Sequence, residues 1–330
     1  MAMSASRKIA LLFVALALGA AAWVFLRSDA GPPLSLRVGA YAGDVGALPW
    51  IAEEQGYFSK LNLTVELKGF DTGKASIDAL RQGKVDVATA SEFVVADRSF
   101  TEPDLRILAG ICQYWNKGLI ARSDRGIVGP ADLKGKRIGV TFSSTAEHSL
   151  VVFLALHGLT ADDVRLVNLP PKALREQIQQ GDLDAVLTWQ PHVDAIQHAL
   201  GSLAVNLLPH GSDAYLTALT QEDRLAAHGE AFARYLHALS MAQDWVAADP
   251  DRAKQWLARR FSLDPAYVNT LWPDMQLAVR LPQEILEVMD GEARWLARKG
   301  DRSASPDFAR TLHALPLLSV KPEAVTLFVK

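Results

Sequence analysis

The stretch Leu80-Arg-Gln-Gly-Lys-Val-Asp-Val-Ala-Thr-Ala-Ser-Glu-Phe93, LRQGKVDVATASEF, returns as Ile178-Gln-Gln-Gly-Asp-Leu-Asp-Ala-Val-Leu-Thr-Trp-Gln-Pro191, IQQGDLDAVLTWQP. Both copies carry a helix end, a glycine, an aspartate set among apolar residues, and a polar loop. Working outward from the first copy, Leu36–Tyr41, Leu63–Lys68 and Val85–Thr89 read as strands. Helices fall near 49–55 and 75–81, each closed by a glycine, Gly56 and Gly83. Around the second copy the order repeats. Strands Arg137–Phe142, Val164–Leu169 and Leu183–Thr188 alternate with helices that end near Gly158 and Gly181. Alternating β and α units of this size give right-handed crossovers and a parallel sheet. The repeat therefore predicts two similar α/β lobes, with the loops after the strands gathered at one end of each sheet.

From Glu222 the pattern changes to helices, expected at Glu222–Asp249, Pro250–Phe261, Pro265–Leu277 and Pro282–Lys299, with a closing strand Ala324–Val329. The chain has 330 residues, 49% hydrophobic and 22% charged, enough for a sizeable core. A net charge of −3 and the lack of a dense basic block argue against a nucleic-acid surface. The single cysteine, Cys112, can form no internal disulfide and lies in an apolar run, where a buried small hydrophobe is expected.

Arg7 and Lys8 precede an uncharged run from Ile9 to Leu26, and Ser28-Asp-Ala30 offers a small-x-small cleavage site. Residues 1–30 are expected to act as a signal peptide or an N-terminal membrane anchor. The run is long for the first and just long enough for the second. With the basic residues on its N-terminal side, the body should be exported.

With these pieces in order, the chain resembles the solute-binding proteins of ABC importers, in the group serving nitrate, aliphatic sulfonates, taurine and thiamine-precursor pyrimidines. The resemblance rests on RVGAYAG followed by AEEQGYFSKLNLTVEL, the two repeat copies, GPADLKGKRIGVTFSST, LHGLTADDVRLVNLPP and the WVAADPDRAKQWLA helices, together covering roughly residues 34–330. It implies an α/β, two-lobed type II periplasmic-binding-protein fold with a ligand cleft between the lobes. Lobe one would comprise residues 34–122 plus 213–330, and lobe two residues 123–212. It also implies a periplasmic location, a small-molecule ligand, an inner-membrane ABC permease with its ATPase as partners, a monomer, and no cofactor or metal.

Within that frame, Ser143, Ser144 and Thr145 are expected to cap a helix and to hold a ligand oxygen with the same groups. Glu147 compensates the helix dipole or faces the cleft, and Glu92 is a solvated strand-end residue or a ligand contact. If both glutamates face the cleft, a zwitterionic, amine-bearing or heteroaromatic ligand suits them better than a simple anion. Tyr41, Phe70, Trp115, Phe142 and Trp189 sit at strand ends or loops, where aromatics line either core or pocket. Trp189, followed by Gln190, is the strongest pocket candidate. Asp44, Asp71, Thr72, Ser91 and Asn116 are loop polars that serve either turn chemistry or a ligand.

Enzyme signals are weak. Gly69-Phe-Asp-Thr-Gly-Lys74 has three residues between its glycines where a phosphate loop needs four, and Ala75 stands where Ser or Thr belongs. There is no H-E-x-x-H pair, and no G-x-S-x-G elbow. Pyrimidine synthases of the same fold family carry a cysteine cluster for iron, whereas Cys112 stands alone. A membrane-anchored sensory receptor and a pyrimidine-synthase-like enzyme remain the alternatives to a non-enzymatic transport protein.

Overall fold

The computed structural model describes residues 32–208, 214–300 and 306–327. The expected export segment, the 212/213 boundary and the last residues of the closing strand lie outside them. Among the described residues no helix is long and apolar enough to cross a membrane.

Among the described residues, eleven strands form two sheets. They are β1 (Leu34–Tyr41), β2 (Leu63–Phe70), β3 (Val87–Ser91), β4 (Leu105–Tyr114), β5 (Lys117–Arg122), β6 (Arg137–Val140), β7 (Arg165–Asn168), β8 (Ala185–Trp189), β9 (Ala204–Asn206), β10 (Ala214–Gln221) and β11 (Met275–Gln276). The first sheet runs β11-β4-β10-β3-β1-β2 and the second β7-β6-β8-β5-β9. A further short pair joins Leu281–Pro282 to Val325–Thr326.

The repeat is visible as the motif β2-β1-β3 in one sheet and β7-β6-β8 in the other, all parallel. The purely parallel expectation needs correction, because each sheet then adds antiparallel strands. In the first, β10 lies against both β3 and β4; in the second, β5 lies against β8 and β9. Near the lobe boundary expected at residues 122/123, the strand assignment is specific. Lys117–Arg122 hydrogen-bonds within the second sheet, so the chain crosses at Trp115-Asn116.

The two repeat aspartates have one structural job. Asp86 accepts from the Arg37 backbone at 2.9 Å and from its guanidinium, while Arg37 also reaches the Gly83 carbonyl at 2.7 Å. Asp184 accepts from the Arg137 backbone at 2.8 Å, and Arg137 reaches the Gly181 carbonyl at 3.0 Å. Burial alone would raise both carboxyls, but the arginine bonds and charges outweigh it and hold them below the usual range. Two residues on from each arginine, a glycine permits close helix–strand packing. A Cβ on Gly139 would come within 2.6 Å of both Leu174 and Leu183.

Both sheets are covered on two faces. In the second, Leu119 and Leu187 join one core while Ile120 and Val186 join the other, which explains the near-continuous apolar strands. The helices that matter below are α1 (Gly73–Arg81), α2 (Glu92–Ser99), α3 (Thr145–Leu156), α4 (Leu225–Ala248) and α5 (Glu284–Gly300). The start of α2 at Glu92 replaces the loop expected at Ala90–Phe93. The helix expected over Pro265–Leu277 stops at Leu271, where Pro273 withholds a donor and the chain turns into β11.

Candidate functional site

A cavity of about 250 Å³ opens at the C-terminal ends of the parallel strands, with walls from both sheets. Tyr41 ends β1, Asp71 and Thr72 follow β2, and Ser91 ends β3; all four line it. Asn116 contributes from the crossing. Phe142, Ser143, Ser144 and Thr145 follow β6, and Trp189 ends β8. This is the end at which open α/β sheets present their loops to ligands.

Three of these residues are helix caps. The Thr72 hydroxyl accepts from Ala75 N–H at 3.2 Å, opening α1. Ser91 does the same for Val94 at 3.4 Å, opening α2, and Ser144 for Glu147 at 3.4 Å, opening α3. Each is in extended backbone before its helix, the geometry Ser and Thr favour as caps. The partly positive ends of three helices, two from the first sheet and one from the second, thus meet at one cavity. Ser143 adopts a left-handed φ of 54°, unusual for a side-chain-bearing residue. Its N–H donates to the Glu147 carboxylate at 2.9 Å, which holds the turn.

Tyr41 from the first sheet and Trp189 from the second both line the cavity, and the Trp189 indole favours the ionised phenol as a nearby donor does. Burial, reinforced by the charges of Asp44 and Asp71, pushes the Tyr41 phenol up against that influence, so it stays neutral. On the opposite side, His192 follows Trp189, and burial and then the charge of Arg175 hold its imidazole below the usual range against the pull of Asp71.

Five expected site residues do not line the cavity. Asp44 is buried and accepts from the Tyr267 hydroxyl at 2.5 Å and from Val45 N–H at 2.7 Å. Glu92 is buried and accepts from Tyr215 N–H at 2.7 Å. Trp115 is buried beneath the Lys117 ammonium, 4.7 Å from its ring centre. Glu147 serves Ser143, and the Gln190 side chain accepts from Asp194 N–H at 3.0 Å. The reason is common to all five: each is a polar or amphipathic group whose need is met inside the protein. With both glutamates turned away, their repulsion toward an anion loses its direct form.

Sequence reasoning missed other wall residues. Lys74, at the exposed rim, belongs in sequence to the failed phosphate loop, although its place at the start of α1 is itself a signal. Asn168 and Pro170 follow β7 and were reachable by the strand-end rule. Tyr114 closes an apolar strand and Leu216 arrives on β10 from far down the chain; nothing local marks either. Among the described residues no group of three or more His, Cys, Asp or Glu side chains could hold a metal ion.

Two α/β units with a shared cavity at their strand ends make this a protein of the periplasmic-binding-protein fold. The solved structure of the alkanesulfonate-binding protein SsuA from Xanthomonas axonopodis pv. citri, bound to MOPS, superposes with a TM-score of 0.73 at 20% identity, covering 86% of this chain and all of that one (100%). The chain belongs to the NMT1/THI5-like family, whose model matches residues 48–253. A taurine-binding periplasmic protein of Escherichia coli (strain K12) is 30% identical over 149 residues, 44% of this chain and 46% of that protein. The match thus spans about half of that relative's length. A putative binding protein of Brucella abortus (strain 2308) is 26% identical over 245 residues, 72% of this chain and 75% of its own.

Proposed function

We propose that this protein is an extracytoplasmic solute-binding protein of an ABC importer, and that it captures a small sulfonate-type anion or zwitterion. The fold is read as the two-lobed type II form, with the cavity as the cleft between lobes that close on the ligand. One observation carries the reading: the caps of α1, α2 and α3 all line a single cavity shared between the two sheets. Helix N-termini with Ser and Thr hydroxyls suit a group bearing several anionic oxygens. Lys74 supplies a cation at the rim, and Asp71 on the same turn could receive an ammonium, so a zwitterion finds both partners.

The binding proteins named above support the carrier reading over the sensory and enzymatic alternatives. So does the chemistry of the wall. The phenols of Tyr41 and Tyr114 are pushed up by burial, which leaves them as hydrogen-bond donors rather than bases. The permease and its ATPase are the implied partners, and the periplasm the implied location.

The test is a thermal-shift and calorimetric panel of taurine, short alkanesulfonates, nitrate and aminopyrimidines. A ligand at a hundred times its dissociation constant adds about 2.7 kcal/mol of stability. Stabilisation by at least one sulfonate is the expected result. Stabilisation by an aminopyrimidine alone would overturn the anion assignment, and turnover of the bound compound would overturn the carrier reading.

A further inference from the structure

Beneath the cavity lie three buried ionisable side chains that ligand binding does not use directly. Glu92, Lys117 and Glu292 are 1%, 6% and 5% exposed. They come from three separate elements, α2, β5 and α5, and α5 packs on α2. Glu92 and Lys117 are tied to the cavity wall through their neighbours. Glu92 follows the cap Ser91, and its carboxylate holds Tyr215 N–H, next to the wall residue Leu216. Lys117 follows the wall residue Asn116, with its ammonium over the rings of Trp115 and Tyr114. Glu292 Oε2 is buried without a hydrogen-bond partner.

Fully ionised, the trio carries two negative charges and one positive. An uncompensated charge in such a place is strongly disfavoured, while a single added proton makes the cluster neutral. We propose that Glu92, Glu292 and Lys117 form a buried proton-binding element under the cavity, which couples uptake of an anionic ligand to uptake of one proton.

Burial pushes Glu92 up to about 7 against the opposing pull of the Tyr215 N–H and Lys117. Glu292 rises well above the usual range, again through burial and then through the charge of Glu92. Two carboxyls so placed titrate as a pair. The other titratable groups facing the trio are His148 from α3 and Tyr114 from β4, with Asp44 further along Tyr114. Burial and Lys117 hold His148 down to about 4, and burial holds the Tyr114 phenol protonated, so both are neutral near pH 7. With the proton on, the three helix N-termini act on a ligand unopposed. With it off, a net negative charge lies directly behind Ser91 and repels an anion. By linkage, the ligand raises proton affinity by the factor by which the proton raises ligand affinity.

This mechanism rests on the anion reading of the cavity, and its test separates the two. The full exported body is titrated with ethanesulfonate and with taurine by isothermal calorimetry, between about pH 5.5 and pH 8. Each titration is run in two buffers of different ionisation enthalpy, so that the heat counts protons. The expected result is fractional proton uptake near pH 7 and a dissociation constant about fivefold or more weaker at the upper pH. Glu292→Gln leaves a balanced Glu92–Lys117 pair, so it should bind with no proton uptake and a flat pH profile. A flat profile in the unaltered protein, or an unchanged one in Glu292→Gln, overturns the coupling and leaves the anion reading standing. Failure of both probes to bind at every pH removes the anion reading and the coupling with it. Should Glu292→Gln not fold, the proton count on the unaltered protein decides alone.

Discussion

At the residue scale, Trp189 lines the cavity, where we propose it offers a face to the ligand, and its indole acts as a donor toward the Tyr41 phenol of the opposite sheet. Trp189→Ala removes both and should abolish ligand-induced thermal stabilisation while leaving the fold intact. Trp189→Phe keeps a ring and loses only the donor. One hydrogen bond is worth about 1 kcal/mol, so the ligand-free protein should lose about that much stability, while the retained ring keeps the change in affinity small. Calorimetry on the two variants separates these contributions, and undiminished binding in Trp189→Ala would remove the residue from the site. The place of Trp189 at the cavity was legible in the sequence because it ends a buried strand and runs directly into Gln190-Pro191. Glu92 and Glu147 stay ambiguous in the sequence, because a strand-end glutamate and a cap-turn glutamate look alike whether they face water, a ligand or a backbone N–H. Only the fold shows that Tyr215 and Ser143 claim them.

Among the elements, the repeat was readable because it places Asp86 and Asp184 at the same point, just before β3 and β8. The sequence shows that these aspartates recur; their partners, Arg37 and Arg137, could be assigned only once β1 and β6 were seen to lie alongside. By contrast β4 and β10 were hidden. Both are buried along almost their whole length, so neither alternates, and their pairing joins residues a hundred positions apart. The arginine–aspartate braces sit at the strand ends opposite to the cavity. Asp86→Ala or Asp184→Ala should therefore lower unfolding free energy by about 2 kcal/mol, as loss of hydrogen bonds to a charged group does, without changing ligand affinity. Urea unfolding monitored by tryptophan fluorescence, alongside calorimetric titration, checks both halves. A large loss of affinity with unchanged stability would place these residues in the binding machinery instead.

Over the whole molecule, the two sheets are held in register by more than the crossing at Trp115-Asn116. His148 of α3, on the second-sheet side, stacks on Phe93 of α2 at 5.6 Å and meets Trp295 of α5 edge-on at 5.2 Å. Its imidazole is mostly buried, and burial followed by the charge of Lys117 lowers its affinity for a proton to about 4 from the usual 6.5. The folded protein therefore resists a proton that the unfolded chain accepts. The contribution of His148 is full above about pH 6.5 and is lost as the pH falls toward 4. Glu92 acts in the opposite sense: its carboxyl is raised, so its contribution is full below about pH 4.5 and is lost as the pH rises through 7. Two opposed limbs of this kind confine the intact two-sheet arrangement to a middle range of pH. His148→Phe keeps an aromatic ring between Phe93 and Trp295 and removes the acid limb alone. Between pH 7 and pH 4.5 the unaltered protein should lose about 2 kcal/mol of stability relative to His148→Phe. Denaturant midpoints at the two pH values measure that difference. Parallel behaviour of the two proteins would mean that His148 takes up its proton in the fold as readily as in the open chain, and that the aromatic contact is not what excludes it.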